Sequence, residues 1–139
     1  MKSLLRIVSI SLLFFNGTGA VYGGLNLIMF PDGSQLHLST ALLLHTPFQN
    51  YFIPGLVLLL INGFCSFWVL TATVLIFRKY EVLIMSQGFL LSVWISVQVI
   101  LIHHLNFLHI ILGSVGLVLV FIGYKLYKIE LNNARRKAI

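Results

Sequence analysis

Charged residues are scarce in this sequence, and acidic residues are the scarcest. Only 3 of the 139 residues are Asp or Glu, and all charged residues together make up 9% of the chain, against about 25% in a soluble domain. Asp32 falls in the turn sequence Pro31-Asp32-Gly33-Ser34, whereas Glu81 and Glu130 stand near basic residues. The apolar runs themselves contain no acid, which argues against a proton- or ion-coupled carrier.

Cysteine and the usual catalytic motifs are also missing. The single cysteine, Cys65, excludes an internal disulfide, and there is no Cys-x-x-Cys pair for redox or zinc chemistry. The chain has no Gly-x-Ser-x-Gly elbow, no phosphate-binding glycine loop and no His-Glu-x-x-His. These absences weigh against an enzyme, although they do not decide the question, and we expect no cofactor.

Long apolar runs dominate what remains. Hydrophobic residues make up 59% of the chain and the mean hydropathy is +1.01, and a membrane-spanning helix needs about 20 such residues. We predict an all-α integral membrane protein with spans at about residues 5–30, 52–77, 82–103 and 107–127. Short connections then give an up-down-up-down bundle of four transmembrane helices. The whole chain, 1–139, forms one membrane domain, and residues 128–139 form a basic tail.

The basic residues and the histidines separate into two groups along this pattern. All nine Lys and Arg residues can lie on one side of a membrane and all five His on the other. The positive-inside rule then places both termini in the cytoplasm. The net charge of +6 is explained by this sorting, so the lipid bilayer, and not nucleic acid, is the expected partner.

The first connection is the longest and the least polar. It runs from Pro31 to Tyr51, and its middle, Ser39 to Leu44, is too apolar for an open loop and too short to span. We predict a short interfacial helix there, lying in the outer interface or over the mouth of the bundle. Long ordered connections on rigid scaffolds often carry function.

Several polar side chains fall inside the predicted spans, where hydrocarbon offers them no partner. Depth counted along the helices places Asn16, Asn62 and Trp94 near the midplane. Tyr22 and Asn26 lie one turn apart, as do Trp94 and Gln98, so these four residues form a candidate ligand pocket: Tyr22, Asn26, Trp94, Gln98. Interhelical hydrogen bonding is the favoured alternative for such neutral amides.

Glycine spacing favours close helix packing. Gly19 and Gly23 are separated by one turn in the first span, and Gly113, Gly116 and Gly123 form a stripe in the last. Such stripes let helix backbones approach within a bundle or between copies. Packing within the chain is the commoner use, and a homo-oligomer through the last span is the alternative.

Histidines suggest a second kind of site. Imidazole is the commonest metal ligand, and four histidines fall in or beside the two connections opposite the basic residues: His37, His45, His103, His104. Their spacing matches no metal motif, and they lie at the rim of the bundle, where a haem would not be held. Interfacial histidines or a pH-sensitive surface are the favoured alternative.

The chain resembles small uncharacterised four-helix membrane proteins of bacteria. The resemblance lies in Tyr22-Gly23-Gly24-Leu25, Pro31-Asp32-Gly33, Thr46-Pro47-Phe48 and Ile53-Pro54-Gly55-Leu56, followed by Trp94-Ile95-x-x-Gln98. In size and layout the chain is more loosely similar to DoxX-like proteins, some of which are quinone-linked oxidoreductase subunits. The resemblance implies a bacterial inner-membrane location and supplies no catalytic residues.

Three functions are consistent with these patterns. The first is a non-catalytic accessory or interaction module that contacts another membrane protein or a second copy of itself. The second is a lipid- or quinone-binding protein whose pocket opens to the outer face. The third is a redox or metal-linked enzyme subunit that uses the four histidines. The lack of buried charge favours the first of the three.

Overall fold

The computed structural model describes residues 1–44, 46–102 and 106–137. Four long helices account for most of them: α1, Lys2–Met29; α2, Phe52–Val74; α3, Tyr80–Ile102; and α4, Phe107–Lys137. Each is long and apolar enough to cross a membrane, and the described residues contain no strand. The predicted class of four long apolar helices is therefore confirmed.

The last helix is longer than the span predicted for it. We expected a basic tail after the span, either frayed or a helical extension, and α4 continues through Lys137. No glycine or proline follows Gly123, and Lys, Arg, Leu, Glu and Ala all favour helix. The basic segment is therefore a continuation of the last apolar helix.

Helix α2 contains a π-helical stretch in its middle. Phe52–Val57 and Cys65–Val74 are α-helical, whereas Leu58–Phe64 is π-helical, and the backbone N–H of Cys65 reaches back five residues to the carbonyl of Leu60. Side-chain amides of two other helices bind carbonyls of this stretch. Asn16 of α1 donates to the carbonyl of Asn62, and Gln87 of α3 donates to that of Ile61 at 3.1 Å. These bonds satisfy backbone oxygens inside an apolar bundle.

Glycines bring the helices into close contact. A Cβ built on Gly24 of α1 would lie 2.9 Å from the carbonyl of Gly55 in α2, and one built on Gly88 of α3 would lie 2.6 Å from that of Gly116 in α4. Gly123 stands against Met85 in the same way. The later residue of α3, Gly88, contacts the earlier residue of α4, Gly116, and Met85 contacts Gly123. The two helices are therefore antiparallel. Gly116 and Gly123 therefore serve packing within the chain.

Basic residues near the start of α1 connect it to the ends of other helices. The Arg6 guanidinium donates to the carbonyls of Thr73 and Val74 at 3.1 and 3.4 Å, at the C-terminus of α2, where a positive charge is favourable. Lys2 forms an ion pair with Glu130 of α4. The beginning of α1, the end of α2 and the late part of α4 therefore meet at one end of the bundle.

The first connection folds over the opposite end. It contains two 3-10 turns, Ser34–Leu36 and Thr40–Leu43. The second lies between Ser39 and Leu44, where we predicted a short helix, and the first was not predicted. Gly33 has φ of 78°, a left-handed conformation that glycine adopts without strain. Tyr51 fastens the segment, because its backbone N–H donates to the carbonyl of Pro31 and its hydroxyl to that of Ser39, both at 2.8 Å. We call residues 34–44 and 46–48 the roof.

Candidate functional site

A cavity of about 400 Å³ lies beneath the roof. Its walls come from α1, α3, the beginning of α2 and the beginning of α4, and its upper side is formed by apolar side chains of the roof. The lining is overwhelmingly apolar, with a small number of polar side chains among the hydrophobic ones. Small-molecule sites in proteins have this character and occupy about 300–1,000 Å³.

The α1 wall is built from one face of the helix. Asn16, Gly19, Ala20, Gly23 and Leu27 line the cavity, and steps of three and four residues place them on one side of a helix. Two glycines in this wall leave room that larger side chains would fill. A Cβ built on Gly19 would have no neighbour within 4 Å.

Leucines of the roof close the cavity from above. Leu36, Leu38 and Leu43 pack with Leu27 of α1 and with Tyr51, which is buried. The same three leucines line the cavity. Burial raises the pKa of Tyr51, so its phenol stays protonated and keeps donating to the roof carbonyl. The roof is therefore packed onto the bundle by apolar contacts and held by one buried hydroxyl.

Asn16 is a polar lining residue whose orientation is fixed by two hydrogen bonds. It is 2% exposed, and its Nδ2 donates to the backbone carbonyl of Asn62 at 3.3 Å and to Oγ of Ser66 at 2.8 Å. A backbone carbonyl only accepts, so the bond to Asn62 decides which side of the amide is nitrogen. Both hydrogens of the amide are used, and its oxygen Oδ1 is the part left for the cavity.

Trp94 and Gln98 enter the lining from α3, one turn apart. The indole Nε1 of Trp94 is buried and has no hydrogen-bond partner in the described part of the chain. An indole N–H can only donate, and a buried donor without an acceptor costs about 1–3 kcal/mol. Trp94 therefore lines the cavity and carries a buried N–H that no described residue satisfies.

The four residues of the predicted pocket separate into two pairs. Trp94 and Gln98 line the cavity, whereas Tyr22 and Asn26 are not among its lining residues. Tyr22 is 64% exposed on the outer side of α1. Asn26 donates to the carbonyl of Tyr22 within its own helix, at 2.8 Å. Whether Trp94 and Gln98 hold a ligand stays a prediction.

The α1 residues that do line the cavity were not predicted as a site. Asn16 was expected near the midplane, but the wall formed with Gly19, Gly23 and Leu27 was not anticipated. The spacing of these residues could have indicated the wall, because it marks one helix face that carries glycine at two successive turns. Tyr22 and Asn26, each one position away from a lining residue, are polar and one turn apart but lie on a different side of the helix.

Charge is absent from the described part of the lining. None of the described lining residues is Lys, Arg, Asp or Glu. His109 of α4 is included, and its Nδ1 accepts from the backbone N–H of Asn106 at 3.2 Å. An imidazole that accepts at one nitrogen is neutral. The described walls therefore offer a ligand hydrogen bonds and apolar contacts, but no charge that would pair with an ionic group.

The predicted histidine site is only partly covered by the structure. His37 is exposed, with φ of 54° in the left-handed region. His45, His103 and His104 lie outside the described residues. Within the ranges 1–44, 46–102 and 106–137 no three His, Cys, Asp or Glu residues are grouped so that they could hold a metal. A metal site at these histidines stays a prediction.

These features define an all-helical protein with four helices long and apolar enough to cross a membrane and an apolar cavity under a folded connection. No protein-family model, curated protein or solved structure matches the chain. The function proposed below is therefore argued from the cavity and from the helices that form it.

Proposed function

We propose that the four helices cross a bacterial inner membrane in up-down-up-down order, with both termini in the cytoplasm. Large apolar side chains exposed on the helices support insertion, among them Phe14, Phe64, Trp68, Phe89, Leu117 and Phe121. A water-facing surface of this kind would be unfavourable, whereas lipid is its natural solvent. The basic end of the bundle supports the orientation.

We further propose that the protein binds an apolar small molecule, lipid- or quinone-like, in the cavity under the roof. The observation that carries this proposal is the cavity itself, with about 400 Å³ of space and an apolar lining that includes Asn16, Trp94 and Gln98. A well-packed bundle leaves few voids larger than a water molecule. A space of this size with a few placed polar groups is typical of a binding site.

A cavity-filling substitution tests the proposal. Gly19→Phe adds a ring to the α1 wall at a position where a Cβ meets nothing within 4 Å, so the fold is expected to survive. The matched control is Thr18→Phe, which adds the same ring at an exposed position next to it. Native mass spectrometry after gentle extraction from the membrane measures any stoichiometric extra mass.

We expect extra mass on the wild-type chain and on Thr18→Phe, and its loss in Gly19→Phe. A chain without added mass in all three preparations would contradict the ligand proposal and favour an accessory or interaction module. Added mass identified as a metal or a haem would instead favour the redox or metal-linked alternative. Added mass that survives in Gly19→Phe would show that the ligand binds outside the cavity.

A further inference from the structure

Resting on the ligand-binding function proposed above, we propose that the cavity selects an uncharged lipid that carries a hydroxyl group. Oδ1 of Asn16 accepts the hydrogen bond from that hydroxyl. A long-chain alcohol, a hydroquinone or an acylglycerol has this chemistry. A fatty acid anion is charged, and a lipid whose only head group is an ether has no hydroxyl group, so neither meets this requirement.

The selection for a donor follows from how Asn16 is held. A free asparagine amide offers both donors and an acceptor, and would take either kind of ligand group. Here Nδ2 is engaged by the carbonyl of Asn62 at 3.3 Å and by Ser66 at 2.8 Å. Rotating the amide by half a turn would place two oxygens, those of Asn16 and Asn62, against each other. The amide is therefore locked with its acceptor available.

Trp94 sets a complementary requirement. Its Nε1 has no acceptor in the described part of the chain, and Trp94 lines the same cavity as Asn16. A ligand oxygen that reached this buried N–H would satisfy it, as the ligand hydroxyl would satisfy Asn16. Alcohols, hydroquinones and acylglycerols each carry such an oxygen, whereas a hydrocarbon tail alone carries neither group.

The exclusion of charge follows from the rest of the lining. None of the described lining residues carries a formal charge, because Lys, Arg, Asp and Glu are absent among them and His109 accepts at Nδ1. An ion without a partner in a low-dielectric site is strongly disfavoured. A carboxylate or phosphate head group would therefore find no cation among the described lining residues, although its acyl chain would fit the walls.

Three probes with the same twelve-carbon chain separate these requirements: dodecanol, its methyl ether and dodecanoate. Each is added to the full-length protein in detergent at matched concentration, and its occupancy is measured by native mass spectrometry at neutral pH. We expect dodecanol to bind about tenfold more tightly than either of the others, the usual effect of one well-placed hydrogen bond in a desolvated site. This ranking is measured on the wild-type chain and needs no variant.

Two variants test whether Asn16 and Trp94 produce the preference among the three probes. Asn16→Leu should abolish the preference for dodecanol over its methyl ether. Trp94→Phe should weaken both probes equally, because both carry an acceptor oxygen. Tyr22→Phe, at an exposed position outside the cavity, is the control that should change nothing.

The outcomes distinguish this inference from the function on which it rests. If the methyl ether or dodecanoate bound as tightly as dodecanol, the cavity would still be a binding site but the hydroxyl selection would be overturned. If Trp94→Phe removed the preference and Asn16→Leu kept it, the assignment to Asn16 would be overturned. If none of the probes bound and no native ligand was found, the binding function itself would fail.

Discussion

The side-chain amide of Asn16 in α1 binds the backbone carbonyl of Asn62, 46 residues further along the chain, at 3.3 Å. This carbonyl belongs to the π-helical stretch Leu58–Phe64 of α2. Gln87 binds the preceding carbonyl, that of Ile61, from α3. The irregular stretch of α2 is therefore held from two sides, and one of the two residues that hold it also lines the cavity. π-helical turns frequently occur at functional sites, and here the turn orients a cavity residue.

Replacing Asn16 should weaken the bundle. Asn16→Leu leaves Ser66 and the carbonyl of Asn62 without their donor in an apolar interior. We expect a loss of about 1 kcal/mol in the free energy of unfolding, since interhelical hydrogen bonds in membrane proteins average about 0.6 kcal/mol and reach about 1.7. Unfolding of the purified protein in mixed micelles measures it. The control is Ser11→Ala, which removes an exposed hydroxyl bonded within its own helix, and a loss as large in the control would contradict the prediction.

Gln87 and Asn16 should be energetically coupled. They bind carbonyls of adjacent residues, Ile61 and Asn62, so removing one donor allows the π-helical stretch to relax away from the other. In a double-mutant cycle of Asn16→Leu and Gln87→Leu, we expect an interaction energy of at least about 0.5 kcal/mol. Unfolding free energies of the two single variants and the double variant supply the cycle. Strict additivity would show that the two amides act independently.

Some of this arrangement could be predicted from the sequence. Hydropathy is a local property, and it correctly indicated four long apolar helices. The 3.6-residue period also placed Trp94 and Gln98 on one side of α3, where both line the cavity. Polarity was a poorer guide in α1, because Asn26 is satisfied by a carbonyl of its own helix and Tyr22 is exposed.

Other features depend on contacts that the sequence does not display. The inward face of α1 is marked by Gly19 and Gly23, whose contribution is the space that they leave. The π-helical stretch has no clear sequence signal, and the bonds that two of its carbonyls accept from Asn16 and Gln87 come from other helices. A short helix was expected between Ser39 and Leu44, where the 3-10 turn Thr40–Leu43 lies. The other turn, Ser34–Leu36, was not expected, and it follows Gly33 in a left-handed conformation.

Close packing of α3 against α4 should make Gly88 intolerant of substitution. A Cβ at Gly88 would lie 2.6 Å from the carbonyl oxygen of Gly116 and 2.7 Å from the backbone nitrogen of Val120, so the helices must separate. We expect Gly88→Ala to cost about 1–3 kcal/mol of stability, as overpacking typically does. Gly113→Ala is the matched control, because its Cβ would meet Ile95 at an ordinary 3.7 Å. Equal thermal stability of the two variants would argue against this packing.

Arg6 should contribute to stability through the end of α2. Its guanidinium donates to the carbonyls of Thr73 and Val74 and stands 5.8 Å from the centre of the Tyr80 ring. Arg6→Gln removes the charge and most of these contacts, and we expect a loss of about 0.5–1 kcal/mol, the usual range for a cation at a helix C-terminus. Arg78→Gln, at an exposed position near the same end, is the control. The difference in stability between the two variants should become smaller at high salt. If that difference did not change with salt, the charge of Arg6 would not be its source.

The proposed orientation predicts where reporters attached to the chain will be active. Both termini carry basic residues, as does the connection after α2, which contains Arg78 and Lys79. Green fluorescent protein joined after the last residue should therefore fluoresce in bacterial cells, and alkaline phosphatase at the same position should be inactive. Phosphatase joined after Asn50, behind the roof, should be active, because that position is expected in the periplasm. The opposite pattern would place the nine basic residues outside the cell against the positive-inside rule, and would move the roof and the cavity mouth to the cytoplasmic face.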